Sequence, residues 1–69
     1  MNDIKINALE KLYIANIAIY KAEIQNYIDN PVAVGEHGNL IETMDDLVGK
    51  IAEAEDKLDV LDLYFYFNE

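Results

Sequence analysis

The chain has 69 residues, with fourteen acidic side chains, five lysines, no arginine and a formal net charge of −9. One domain of this length rarely draws more than ~3–5 kcal/mol from its own core, and the absence of cysteine excludes disulfides and thiolate metal sites. The charge opposes direct binding to nucleic acid and to anionic membrane surfaces, so the first expectation is a protein stabilised by oligomerisation.

The first predicted element is a helix over about residues 3–28. Asp3 is a suitable N-cap, because its carboxylate can accept hydrogen bonds from the free amides of the first turn. Asp29-Asn30-Pro31 is a strong stop signal, since proline cannot continue the helical hydrogen bonds and restricts the residue before it to extended conformations.

This helix carries two apolar stripes when its residues are placed at about 100° each around the axis. Glu10 is among the polar residues expected on the solvent face beside them. We call one the inner stripe: Ile6, Leu9, Tyr13, Ile17, Tyr20, Ile24 and Tyr27. The other, the outer stripe, alternates large and small side chains: Ile4, Ala8, Leu12, Ala15, Ile19 and Ala22.

A two-helix hairpin can bury only one stripe of this helix. Leaving several Ile and Leu side chains in water forgoes several kcal/mol at roughly 25 cal/mol per Å², and monomeric proteins seldom do so. We therefore expect an all-α antiparallel hairpin of one domain, residues 1–69, that dimerises through the outer stripe into a four-helix bundle. The alanines would let a second backbone come close.

The connection is predicted over residues 29–38 and the second helix over about 40–66. Asn39 is the expected N-cap, with Glu42 completing a capping-box pattern. Apolar residues then recur at alternating steps of four and three, a heptad pattern typical of helix-to-helix packing. The aromatic end at 64–67 is expected to be helical and buried against the first helix or a neighbouring chain. The heptad row is Leu40, Met44, Leu47, Ile51, Ala54, Leu58, Leu61 and Phe65.

Candidate chemistry is sparse. His37, with Glu36 beside it, could ligate a metal, but the spacing that sets two ligands on one helix face is missing, so a loop role is preferred. The second helix's carboxylates fit a solvated face better than paired catalytic acids. The sequence has no serine and one threonine, and its glycines match no phosphate loop. We expect neither an enzyme nor a bound cofactor.

Tyr13, Tyr20 and Tyr27 recur every seven residues. They could form an aromatic recognition face for a partner, or a ladder at the edge of the core whose hydroxyls reach water. The ladder is favoured, because Ile17 and Ile24 interleave at core spacing. These tyrosines, together with Glu36 and His37 of the connection, are the residues predicted to contact a protein partner.

The segment Asn30-Pro31-Val32-Ala33-Val34-Gly35-Glu36-His37-Gly38-Asn39-Leu40-Ile41-Glu42, with Lys50–Leu58 after it, resembles small helical proteins of T4-like tailed phages of marine bacteria. The resemblance implies a phage-encoded protein acting in a bacterial host, and it carries over no catalytic residue.

These observations predict a non-catalytic adaptor or assembly protein that self-associates and engages a protein partner. The alternative is an acidic mimic of DNA that blocks a nucleic-acid-binding protein of the host. The sequence has no secretory signal and no apolar run of membrane-spanning length, so a cytoplasmic location, without membrane or direct nucleic-acid binding, is expected.

Overall fold

The computed structural model describes residues 3–30 and 39–66. These residues form two helices, α1 (Ile4–Asp29) and α2 (Leu40–Tyr64), which pack against each other, and no strand. The expected all-helical hairpin is therefore confirmed. Of the predicted connection, Asp29 closes α1 and Asn30 is its C-cap, whereas 31–38 lie outside the described residues.

Both predicted N-caps are confirmed. The Asp3 carboxylate accepts a hydrogen bond from the Lys5 amide at 2.7 Å. The Asn39 side-chain oxygen accepts from the amides of Ile41 at 2.9 Å and Glu42 at 3.2 Å. Each cap satisfies amides that the first helical turn leaves without an internal partner, which fixes where both helices begin.

Two lysine–tyrosine contacts fix the relative direction of the helices. Lys50 Nζ lies 5.6 Å from the centroid of the Tyr20 ring, and Lys57 Nζ lies 5.5 Å from that of Tyr13. Residue numbers rise along one helix as they fall along the other, so the packing is antiparallel.

The core is the heptad row of α2. Leu47, Ala54 and Leu61, seven residues apart, are each only 5% exposed, whereas no residue of α1 within its described range is fully buried. The other row members from Leu40 to Leu58 are half-buried. A single layer between two helices can shield one line of side chains well and its flanks only partly, so this hairpin has a thin core.

Glu10 was wrongly assigned to the solvent face. It is half-buried, whereas Leu9, which the inner stripe included in its place, is 36% exposed. Counting from Ile6 in alternating steps of four and three residues gives Glu10, Tyr13, Ile17 and Tyr20. Geometry therefore places the carboxylate in the row facing α2, although its polarity suggests the solvent side.

The prediction of a buried helical end at the C-terminus is wrong within this chain. α2 ends at Tyr64, and the amides of Phe65 and Tyr66 both donate to the Leu61 carbonyl, at 2.9 and 3.0 Å. Phe65, placed in the heptad row, is 48% exposed, and only Tyr66 turns inward. Because the Tyr66 amide bonds to the Leu61 carbonyl and not to that of Asp62, the helical hydrogen-bond pattern ends at this point.

Candidate functional site

The outer stripe of α1 lies on the side of the hairpin away from α2. All six of its residues are exposed, including Ile4 at 80%, Leu12 at 51% and Ile19 at 53%. The hairpin thus leaves open a continuous apolar face about five turns long. Self-association through this face stays a prediction.

A groove of about 420 Å³ interrupts the outer stripe near its C-terminal end. Its floor is Ala22, whose small side chain leaves a depression among longer neighbours. We call it the Ala22 groove, and its lining is Ile19, Ala22, Glu23, Asn26 and Tyr27. Four of these follow the spacing i, i+3, i+4 and i+7, which forms the hole that receives one side chain of a packed helix.

The three predicted tyrosines are all half-buried. Tyr13 and Tyr20 lie beneath the ammonium groups of Lys57 and Lys50, a contact in which the negative face of the ring attracts the cation. Tyr27 instead borders the Ala22 groove. Their role in contacting a partner stays a prediction, and Glu36 and His37 lie outside the described residues.

A second depression, the end groove, lies where the start of α1 meets the end of α2. It measures about 470 Å³ and is lined by Glu10, Leu58, Asp59, Asp62 and Tyr66. Sequence reasoning missed it, because Glu10 was assigned to solvent and Tyr66 to the aromatic end. A strict heptad count from Ile6 would have predicted that Glu10 faces α2.

Burial and neighbouring negative charge alter the environment of the Tyr66 phenol. Its hydroxyl oxygen is shielded from solvent and has no hydrogen-bond partner there, since the nearby Glu10 carboxylate falls short of hydrogen-bond geometry. Removal from water raises the pKa of Tyr66, and the negative charges of Glu10 and Asp62 raise it further. The phenol therefore stays protonated at neutral pH.

The remaining surface of α2 is strongly acidic. Its two lysines lie over tyrosine rings of α1 and are themselves exposed, so carboxylates outnumber cations four to one on this helix. No group of three or more potential ligands in residues 3–30 and 39–66 is arranged to hold a metal ion. The eight exposed carboxylates of α2 are Glu42, Asp45, Asp46, Glu53, Glu55, Asp56, Asp59 and Asp62.

Comparison with protein-family models, curated proteins and solved structures finds no match to this chain. The resemblance to proteins of T4-like phages stays an expectation. Neither described helix combines the length and apolar character that crossing a membrane requires.

Proposed function

We propose that this protein is a non-catalytic assembly or adaptor protein that self-associates through the outer stripe of α1 and engages a protein partner with a separate surface. In the assembled form two hairpins make a four-helix bundle. Each α1 then lies in the interior, with its inner stripe on α2 and its outer stripe on the second copy.

The observation that carries the proposal is the exposure of the outer stripe. Burying one Ile or Leu side chain contributes roughly 1.5–3 kcal/mol relative to leaving it in water, and Ile4, Leu12 and Ile19 are each at least half exposed. A domain of this size has a similar total from its own core. Covering this face would therefore contribute as much stabilisation as the hairpin's own packing does.

The aromatic end supplies the surface for a different protein. Leu63 is 72% exposed, Tyr64 67% and Phe65 48%, and these consecutive apolar residues lie at the C-terminal tip of α2, on the other helix from the outer stripe. Aromatic side chains at such a tip bring large contact area with few rotatable bonds, as binding hot spots do. Binding through this end should tolerate salt.

Light scattering of the purified chain tests self-association. Wild type should be a dimer. Ala15→Gln inserts a longer polar side chain at the centre of the outer stripe, which should cost about 1–3 kcal/mol per copy through overpacking and desolvation and yield monomers. The matched control is Ala52→Gln, because Ala52 is an exposed alanine of α2. A dimer that survives Ala15→Gln, or that Ala52→Gln also abolishes, would contradict the proposal.

The alternative function is mimicry of DNA, favoured by the eight exposed carboxylates of α2. Eight of them along a 25-residue helix amount to one charge per ~5 Å at 1.5 Å per residue. DNA carries one phosphate per ~1.7 Å of axis. One hairpin thus reaches about a third of the charge density of the duplex, which is why the adaptor ranks first.

Competition with duplex DNA for a basic, sequence-independent DNA-binding protein separates the two functions. A mimic displaces DNA, loses affinity steeply as salt rises and is weakened by Asp56→Asn with Asp59→Asn. An adaptor leaves the DNA complex intact, and its capture of a partner depends on Tyr64 and Phe65 instead.

A further inference from the structure

From Ala8 to Ala22 the outer stripe is part of a longer heptad row with opposite charges at its ends. The row extends in the same alternating steps to Lys5 at one end and to Asp29 at the other, both exposed, and Ile4 flanks its first position. Asp29 is steadied there by a 3.0 Å hydrogen bond from Gln25 Nε2. The full row is Lys5, Ala8, Leu12, Ala15, Ile19, Ala22, Asn26 and Asp29.

We propose that the occupant of this face is a second copy of the chain whose α1 runs antiparallel to the first, with Leu12 of each copy seated in the Ala22 groove of the other. This inference rests on the proposed self-association and adds its direction and register. The symmetric pairing places Lys5 opposite Asp29, Ala8 opposite Asn26, Leu12 opposite Ala22, and Ala15 opposite Ile19.

The Ala22 groove distinguishes the two possible directions. In an antiparallel pair the four-residue hole centred on Ala22 faces Leu12 of the second copy, a side chain long enough to enter it. In a parallel, in-register pair the same hole faces Ala22 of the second copy. An alanine would leave most of the groove empty, and a void forfeits the contacts of the atoms that line it.

Size and charge favour the same direction along the whole row. The antiparallel register sets every alanine against a larger residue, so side-chain volumes stay even from layer to layer. The parallel register would set alanine against alanine and leucine against leucine. It would also place Lys5 beside Lys5 and Asp29 beside Asp29, whereas the antiparallel register makes both contacts attractive.

Disulfide trapping tests the direction, since the chain has no cysteine of its own. Ala8→Cys and Asn26→Cys are prepared as single variants and mixed in equal amounts under mild oxidation. The mixture should form a covalent heterodimer, because positions 8 and 26 face each other across the interface within disulfide reach. Each variant alone should not, because its two cysteines would be ~27 Å apart at 1.5 Å per residue.

Ala52→Cys, an exposed position of α2, measures random collision. The mixed pair should cross-link at least on the order of tenfold faster than this control, as expected when binding raises the local thiol concentration. Light scattering under reducing conditions reports association separately. If the protein is a dimer but a single variant cross-links with itself, the antiparallel register is wrong. The same holds if the mixed pair cross-links no faster than the Ala52→Cys control. If light scattering shows a monomer, the proposed self-association itself is wrong.

Discussion

Tyr66 places a phenol next to the carboxylates of Glu10 and Asp62, at the point where both helix ends meet. Deprotonation there would add a negative charge in a shielded position beside two others, which is why the pKa of this tyrosine lies above its ordinary value of 10.0. The Tyr66 hydroxyl donates no hydrogen bond to either carboxylate. Docking of this side chain therefore depends on the ring packing and on the phenol staying neutral.

We predict that the free energy of unfolding falls as the pH rises above about 10, the ordinary pKa of a tyrosine. In the unfolded chain Tyr66 releases its proton near that pH, whereas in the folded chain it holds the proton to a higher pH. The folded state therefore binds more protons in this range, and stability decreases with pH until the folded pKa is passed. Urea unfolding at a series of pH values measures the slope.

Tyr66→Phe should make that slope shallower, because it removes the titrating hydroxyl and keeps the ring. Tyr64→Phe is the matched control, since Tyr64 is 67% exposed and should leave the slope unchanged. Equal slopes in wild type and Tyr66→Phe would mean that the Tyr66 hydroxyl titrates at the same pH in the folded and the unfolded chain, and would contradict the prediction.

At the scale of the helix, α2 carries a glycine that no packing requires. A Cβ built at Gly49 meets nothing within 4 Å, and the residue is exposed in the middle of a 25-residue helix. Glycine at such a position costs about 1 kcal/mol relative to alanine, because the unfolded chain loses more backbone freedom on folding.

Gly49→Ala should therefore raise the free energy of unfolding by about 1 kcal/mol, measured by urea denaturation at fixed protein concentration, since dimerisation couples stability to concentration. The reverse change at a nearby exposed position, Ala52→Gly, should lower it by a similar amount. No gain from Gly49→Ala would indicate that another chain approaches this backbone closely.

Local signals in the sequence predict most of both helices. Asp3 and Asn39 were identifiable as caps because an N-cap acts on amides two or three residues away. The heptad row of α2 was identifiable because its periodicity is strict and its flanks are charged. Glu10 was missed because its polarity conflicts with its heptad position, and only packing against the α2 end decides that conflict. The end of α2 depends on what lies across from it, which the local pattern does not contain.

At the scale of the whole molecule, association must overcome charge. Two copies each carrying −9 repel one another, and the face they would share has few cations to offset this. The two Lys5–Asp29 contacts expected at the ends of the interface are exposed, and such pairs are typically worth about 0–1 kcal/mol each. Repulsion between the acidic outer surfaces should therefore dominate the salt dependence of dimerisation.

We accordingly predict that the dimer dissociation constant falls several-fold when ionic strength rises from about 0.1 M to about 1 M, because the screening length shrinks from about 10 Å to about 3 Å. Light scattering over a dilution series measures it. Kosmotropic salts such as sulfate also strengthen apolar contacts, so the charge variant Asp56→Asn with Asp59→Asn separates the two causes. It should dimerise more tightly than wild type at low salt and equally at high salt. If salt instead dissociates the dimer, ion pairs between the copies outweigh the repulsion, and the contact extends beyond the apolar row to the charged flanks of α1.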